Sequence, residues 1–246
     1  MLSREKLADA VGDRWTEAEL NEAVALLTRA EGRFPAGVRT LPADLVRAIQ
    51  RERLLASMMK AVTEIGYNAL TVQNVLGRAG ISRPTFYEQF EDKEDCFLAA
   101  FDAAAARMRR RIEAAVAGEA GGDWRGQLRS GIAELLRFTA EEPEEARTVI
   151  VEARASSPAG LRRRDELLDS YAACIDALVR DDLDETPSAI AAAGVVGGIE
   201  SVLYARLQRG ETEDLGALLP SLMYFAVLAY AGQEAAGEEL DDAALA

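Results

Sequence analysis

The chain has 246 residues, 49% of them hydrophobic and 28% charged, enough for one or two domains with a sizeable core. It contains no histidine, and its two cysteines, Cys96 and Cys174, stand far apart outside any CxxC pair. Histidine-based metal sites, Ser-His-Asp triads, disulfide frameworks and zinc clusters are therefore excluded, and neither an enzyme, a metal nor a cofactor is expected.

The net charge of −14 is unevenly spread: residues 33–93 carry nine basic and six acidic side chains, whereas residues 94–246 carry fifteen and twenty-nine. A locally basic segment on an acidic body is the asymmetry of a nucleic-acid-binding unit. The N-terminus shows no apolar signal region. The apolar stretches Ala189–Ile199 and Leu222–Ala231 reach about half of the ~20 residues a membrane span needs. A cytoplasmic protein with no membrane partner is expected.

Apolar residues recur at helical spacing throughout, predicting an all-α chain. Thr16-x-x-Glu19 is a capping-box pattern, with Leu20, Val24 and Leu27 on one face behind it. Gly32 and Pro35 end that helix, and Phe34–Thr40 reads as a linker whose Arg33 and Arg39 could enter a minor groove. Pro42 suits a first helical turn, and Leu45, Ile49, Met58, Val62 and Ile65 mark one face of a long helix that stops at Gly66. Two short helices follow, Val72–Arg78 and Arg83–Gln89, then a long one from Asp92 to Ala117. Further helices are predicted at Trp124–Ala140, Pro143–Ala155, Ala159–Arg180, Pro187–Arg209 and Leu215–Ala235, each bounded by proline, glycine or acidic clusters. The predicted organisation is an extension and linker at 1–41, a helix-turn-helix DNA-binding domain at 42–91, a helical regulatory and dimerisation domain at 92–236, and a frayed tail at 237–246.

Leu70–Lys93 carries the functional signal. Thr71 and Ser82 can cap the two short helices, Gly80 permits a tight turn, and Pro84 sits where its missing N–H is harmless. Phe86 and Phe90 bury one face of the second helix, and Arg83, Thr85, Tyr87, Glu88 and Gln89 occupy the other. Such a helix enters a major groove with its N-terminal residues at the base edges. There Arg83 can donate twice to guanine and Gln89 can pair with adenine, while Tyr87 and Lys93 suit phosphate.

Gly66-Tyr67, Leu70-Thr71-Val72, Ala79-Gly80-Ile81-Ser82 and Arg83-Pro84-Thr85-Phe86-Tyr87-Glu88-Gln89-Phe90-Glu91-Asp92-Lys93-Glu94 together resemble the DNA-binding domain of the TetR family of transcriptional regulators. Gly197-Gly198-Ile199-Glu200 with Leu218–Gly232 is similar to the last two helices of many such regulators. The resemblance implies a homodimer on a double-stranded DNA operator, a C-terminal domain with an often apolar ligand pocket, and usually repression. It places phosphate contacts on Thr71, Thr85, Tyr87 and Lys93, and base-reading positions on Gln73, Arg83, Pro84 and Gln89.

The body between Phe97 and Ala177 is expected to enclose an apolar effector cavity above ~300 Å³, lined by Met108, Ile112, Phe138, Ile150, Tyr171 and Ile175. A neutral or cationic small molecule suits the acidic body better than an anion. Helices apolar on more than one stripe must bury more than one side. That places the dimer interface on Val195, Ile199 and Val202 of one helix and Leu222 and Phe225 of the next. Gly194 and Gly198 form a GxxxG packing face. Cys174 is expected in the core, Cys96 in a structural role, and the arginine triplets 109–111 and 162–164 in solvent. The alternatives are the same regulator controlled by a protein partner, and a helical ligand carrier or enzyme with an incidental helix-turn-helix.

Overall fold

Glycine and proline divide the chain into helices. The computed structural model describes residues 15–16, 18–21, 42–119, 121–180, 188 and 190–244, which form helices and turns with no strand among them. The rest of the helix expected behind Thr16, the linker with Arg33 and Arg39, and the predicted start at Pro187 lie outside these residues. At Thr16 the backbone N–H donates to the Glu19 carboxylate at 2.9 Å and the Glu19 N–H donates to the Thr16 hydroxyl at 3.4 Å, a reciprocal cap.

Two compact units divide at Ala100 and Phe101. The first contains α1 (Ala43–Ile65), α2 (Val72–Ala79), α3 (Arg83–Tyr87) and the first turns of α4 (Lys93–Gly118). Leu45, Ile49, Met58 and Val62 of α1 are buried, but Ile65 is exposed. The division falls inside α4 rather than at 91/92 because Cys96, Phe97 and Ala100 are core residues of the first unit. Phe97 meets the Tyr67 ring with centroids 4.9 Å apart.

The second unit contains the remainder of α4, then α5 (Trp124–Glu141), α6 (Pro143–Ile150), α7 (Pro158–Arg180), α8 (Ala191–Gln208) and α9 (Leu219–Ala244). The single helix expected over Pro143–Ala155 breaks after Ile150 and resumes as a 3-10 turn, Glu152–Ala155. Thr148-Val149-Ile150-Val151 is a β-branched run, which weakens helix there. A 3-10 turn at Leu215–Leu218 likewise precedes α9.

The expected frayed tail is instead helical to Ala244, beyond a kink at Gly232, whose φ of 81° suits glycine. Ala236 and Glu239 are buried. Glu239 pairs with Arg129, and Arg125 donates to Glu238 at 2.8 Å. Leu215–Leu240 is long and apolar enough by length and composition to cross a membrane, and most of it is not buried within the chain. Gly232, Gln233 and Glu234 end its apolar run, so the apolar stretch legible in the sequence ends at Ala231.

Five buried glutamates in the second unit are matched to arginines: Arg107 donates to Glu145 at 2.8 Å, and Glu134, Glu152, Glu200 and Glu239 have arginine partners of their own. The arginine triplets are thus not plain solvated surface. Arg111 bridges Glu134 and Glu141, Arg163 pairs with Asp102, and Arg164 reaches Glu200.

Candidate nucleic-acid interface and cavity

The turn between α2 and α3 is built from caps. Thr71 donates its N–H to the Asn74 side chain at 2.9 Å and accepts the Asn74 N–H at 3.4 Å. Asn74 thereby completes a capping box with an amide where the usual pattern has a longer Glu or Gln, so sequence reasoning passed over it. At the other end of α2, Gly80 adopts φ 63° and donates to the Leu76 carbonyl at 3.0 Å. Arg53 of α1 donates to the Ala79 carbonyl at 2.6 Å, satisfying a helix-end acceptor. Ser82 then caps α3 by accepting the Thr85 N–H at 3.3 Å.

Phe86 and Phe90 are buried, which leaves Thr71, Gln73, Arg83, Pro84 and Tyr87 exposed on the outside of the pair. Tyr87 is 49% exposed and packs edge-on against Phe86. The Arg83 guanidinium donates to the side-chain Oε1 of Gln73 at 3.4 Å, so two predicted base readers from different helices meet. The half-buried Thr85 shares a 2.9 Å hydrogen bond with Ser82.

Two predicted contacts face inward instead. The Gln89 amide nitrogen is buried with no partner among the described residues, because α3 ends at Tyr87 and its next turn folds towards Phe90. Lys93 donates to the Tyr67 carbonyl at 3.0 Å and stands 4.3 Å from the centre of that ring, so its ammonium serves the first unit's own core.

The second unit encloses an almost wholly apolar cavity of about 140 Å³ between α4, α5, α6, α7 and α8. Met108, Ile112, Ile150, Tyr171 and Ile175 line it. Phe138 does not: it is buried, with the Arg111 guanidinium 5.5 Å from its ring. The volume is under half of the ~300 Å³ expected. Ile199, predicted at the dimer interface, is a wall of the cavity, and Val195 and Leu222 are also buried within their own chain. One apolar stripe of each helix faces its own unit, and only the other remains outside. That outer stripe is Phe225, 42% exposed, and Leu228, 40% exposed, on α9, with half-buried Val202 and exposed Gly194 on α8.

Cys96 is fully buried, and burial pushes its thiol far up, beyond the ordinary thiol range. Cys174, expected in the core, is exposed while still lining the cavity, which places it at the mouth.

A helix-turn-helix unit followed by a helical body with an internal apolar cavity is the architecture of a TetR-type regulator. Residues 54–100, the greater part of the helix-turn-helix unit, match the model of the bacterial regulatory proteins, tetR family. A curated relative, the HTH-type transcriptional activator FasR of Mycolicibacterium smegmatis, is 25% identical over 116 residues. That match covers 47% of this chain and 44% of FasR, so the chain spans less than half the length of the curated relative it matches. Among solved structures, FadR of Bacillus subtilis in complex with stearoyl-CoA shares the fold at a TM-score of 0.64 and 20% identity, covering 73% of this chain and 97% of FadR. A TetR-like regulator from Rhodococcus sp. RHA1 does so at 0.61 and 22%, covering 75% and 96%.

Proposed function

We propose that this chain is a sequence-specific DNA-binding transcriptional regulator of the cytoplasm, a homodimer that represses from a double-stranded operator and is released by a small apolar effector. The observation that carries this reading is the exposed face on which Arg83 and Gln73 meet at 3.4 Å beside Tyr87. Arginine recognises a guanine edge with two donors and glutamine recognises adenine, whereas a tyrosine hydroxyl suits phosphate. The dimer forms through the outer stripe of α8 and α9, where exposed apolar side chains and small residues allow close helix approach. For the effector, the named complex of FadR with stearoyl-CoA supports a body of this fold that holds a ligand with an apolar acyl chain.

The test is an operator selected from random duplex DNA, with affinity measured against salt. Several phosphate contacts give a steep negative slope. Arg83→Ala should relax specificity at one base pair per half-site by ~1–3 kcal/mol. Tyr87→Phe should weaken all duplexes about equally. If Arg83→Ala lowers specific and random binding by the same factor, its role in base reading is wrong. FasR is a transcriptional activator by name, which favours a second reading in which this chain activates. A reporter gene behind the selected operator separates the two by the sign of its response.

A further inference from the structure

The exposed stripe of α3 carries one residue that neither its helix nor its neighbours explain. Phe86 and Phe90 are buried, Thr85 and Gln89 are half-buried, and Arg83, Pro84, Tyr87 and Glu88 are exposed. Glu88 closes the helix: its backbone N–H donates to the Pro84 carbonyl at 3.0 Å. A carboxylate is disfavoured at this end of a helix, where the backbone dipole is negative. No cation offsets it, for the Glu88 side chain has no hydrogen bond or ion pair among the described residues. Four cations of the same unit are engaged elsewhere: Arg83 turns to the Gln73 side chain, Arg78 pairs with Glu64, Arg53 donates to the Ala79 carbonyl and Lys93 to that of Tyr67. A free anion on a DNA-facing stripe is repelled by every phosphate, so it is tolerated there where it meets a hydrogen-bond donor. The major groove offers such donors at cytosine N4 and adenine N6, and a carboxylate is the acceptor suited to cytosine.

We propose that Glu88 is a base-reading residue that accepts a hydrogen bond from a cytosine amino group in the major groove, and that the same charge lowers affinity for every sequence lacking that donor. This rests on the DNA-binding reading above and adds a specificity residue to it. Arg83 and Glu88 are five residues apart, about 7.5 Å along a helix that rises ~1.5 Å per residue. Base pairs stack ~3.4 Å apart, so the cytosine lies about two pairs from the guanine met by Arg83. One end of the stripe presents donors and the other an acceptor, which demands opposite base edges at the two positions.

The variants are Glu88→Ala and Glu88→Gln in the full chain, with Arg83→Ala alongside. Each is titrated by fluorescence anisotropy against the duplex selected by the unaltered chain, against all single-pair substitutions of that duplex, and against a random-sequence duplex of equal length. Glu88→Ala should lower the preference for cytosine at one pair roughly fivefold or more, and should raise affinity for the random duplex. Glu88→Gln should move that preference towards adenine, because an amide both accepts from adenine N6 and donates to N7. An equal rise in affinity for the selected and random duplexes reduces Glu88 to phosphate repulsion and overturns the proposal. A set of base preferences unchanged by both Glu88 variants overturns it too. If those preferences persist while Arg83→Ala abolishes its own, the regulator reading stands and the Glu88 assignment alone falls. A chain that distinguishes no duplex from another overturns both.

Discussion

Glu200→Gln isolates what the ion pairs at the cavity wall contribute. The residue is 7% exposed, and its two oxygens take Nε of Arg154, Nε and Nη2 of Arg164, and a further donor from Arg154. Glutamine preserves the volume, so no cavity forms, but it removes the anion and leaves two guanidinium groups beside an apolar wall. Breaking a fully buried pair costs about 3–5 kcal/mol, while an exposed one contributes about 1 or less. Arg164 is 18% and Arg154 32% exposed, so both retain some water, and the loss should fall between these limits at about 2–3 kcal/mol. For a chain of this size each kcal/mol is worth about 2–4 °C, so the melting temperature should drop by roughly 4–12 °C. Thermal unfolding followed by circular dichroism at matched protein concentrations reads this directly. Combining Glu200→Gln with Arg164→Met should give a loss smaller than the sum of the two single losses, because the residues share a contact. A loss below about 0.5 kcal/mol, the size for an ordinary surface site, would refute the assignment of this cluster as a buried bridge between α7 and α8.

Phe225→Asp combined with Leu228→Asp should give a folded monomer by light scattering with strongly reduced operator affinity; a dimer of undiminished affinity would put the interface elsewhere. Thr71→Ala removes the cap of α2 and should lower stability by about 1 kcal/mol, read as a shift of the urea midpoint at unchanged slope. The Tyr230 hydroxyl is buried without a partner among the described residues, and burial, aided by Asp176, pushes its phenol up to about 12. Its neutral form is the one the fold prefers, so its contribution is complete below the ordinary tyrosine value near 10 and declines as pH rises towards about 12. Tyr230→Phe should flatten that part of the stability–pH curve, and an unaltered slope would place the alkaline loss at other groups.

The helices and the turn were legible in the sequence because their signals are local. Thr71, Gly80, Ser82 and Pro84 each act within four residues of themselves, and the spacing of Phe86 and Phe90 states which side is buried. What was misjudged depends on distant neighbours. Gln89 and Lys93 look like surface groups by type, yet the turn after Tyr87 and the ring of Tyr67 draw both inward. Val195, Ile199 and Leu222 look available for a partner chain because periodicity shows that a helix has two apolar sides without saying which one its own core takes. Glu134 has one local partner, Arg137, but Arg111 for Glu134 and the arginine partners of Glu145 and Glu200 lie 23 to 46 residues away, beyond any pattern a linear reading can detect. The cavity itself is a shortfall of packing, and no single residue encodes it.

Gly198 lies directly beneath the ring of Phe225. A Cβ placed at 198 would come within 2.6 Å of Cε1 and 3.0 Å of Cζ, so any larger residue there makes the ring shift. Positions 198 and 225 therefore share one allotment of volume. Relatives that keep an aromatic at 225 should keep glycine at 198, and those with alanine or serine at 198 should carry a shorter side chain at 225. Across many sequences this coupling should be visible as covariation between two positions twenty-seven apart.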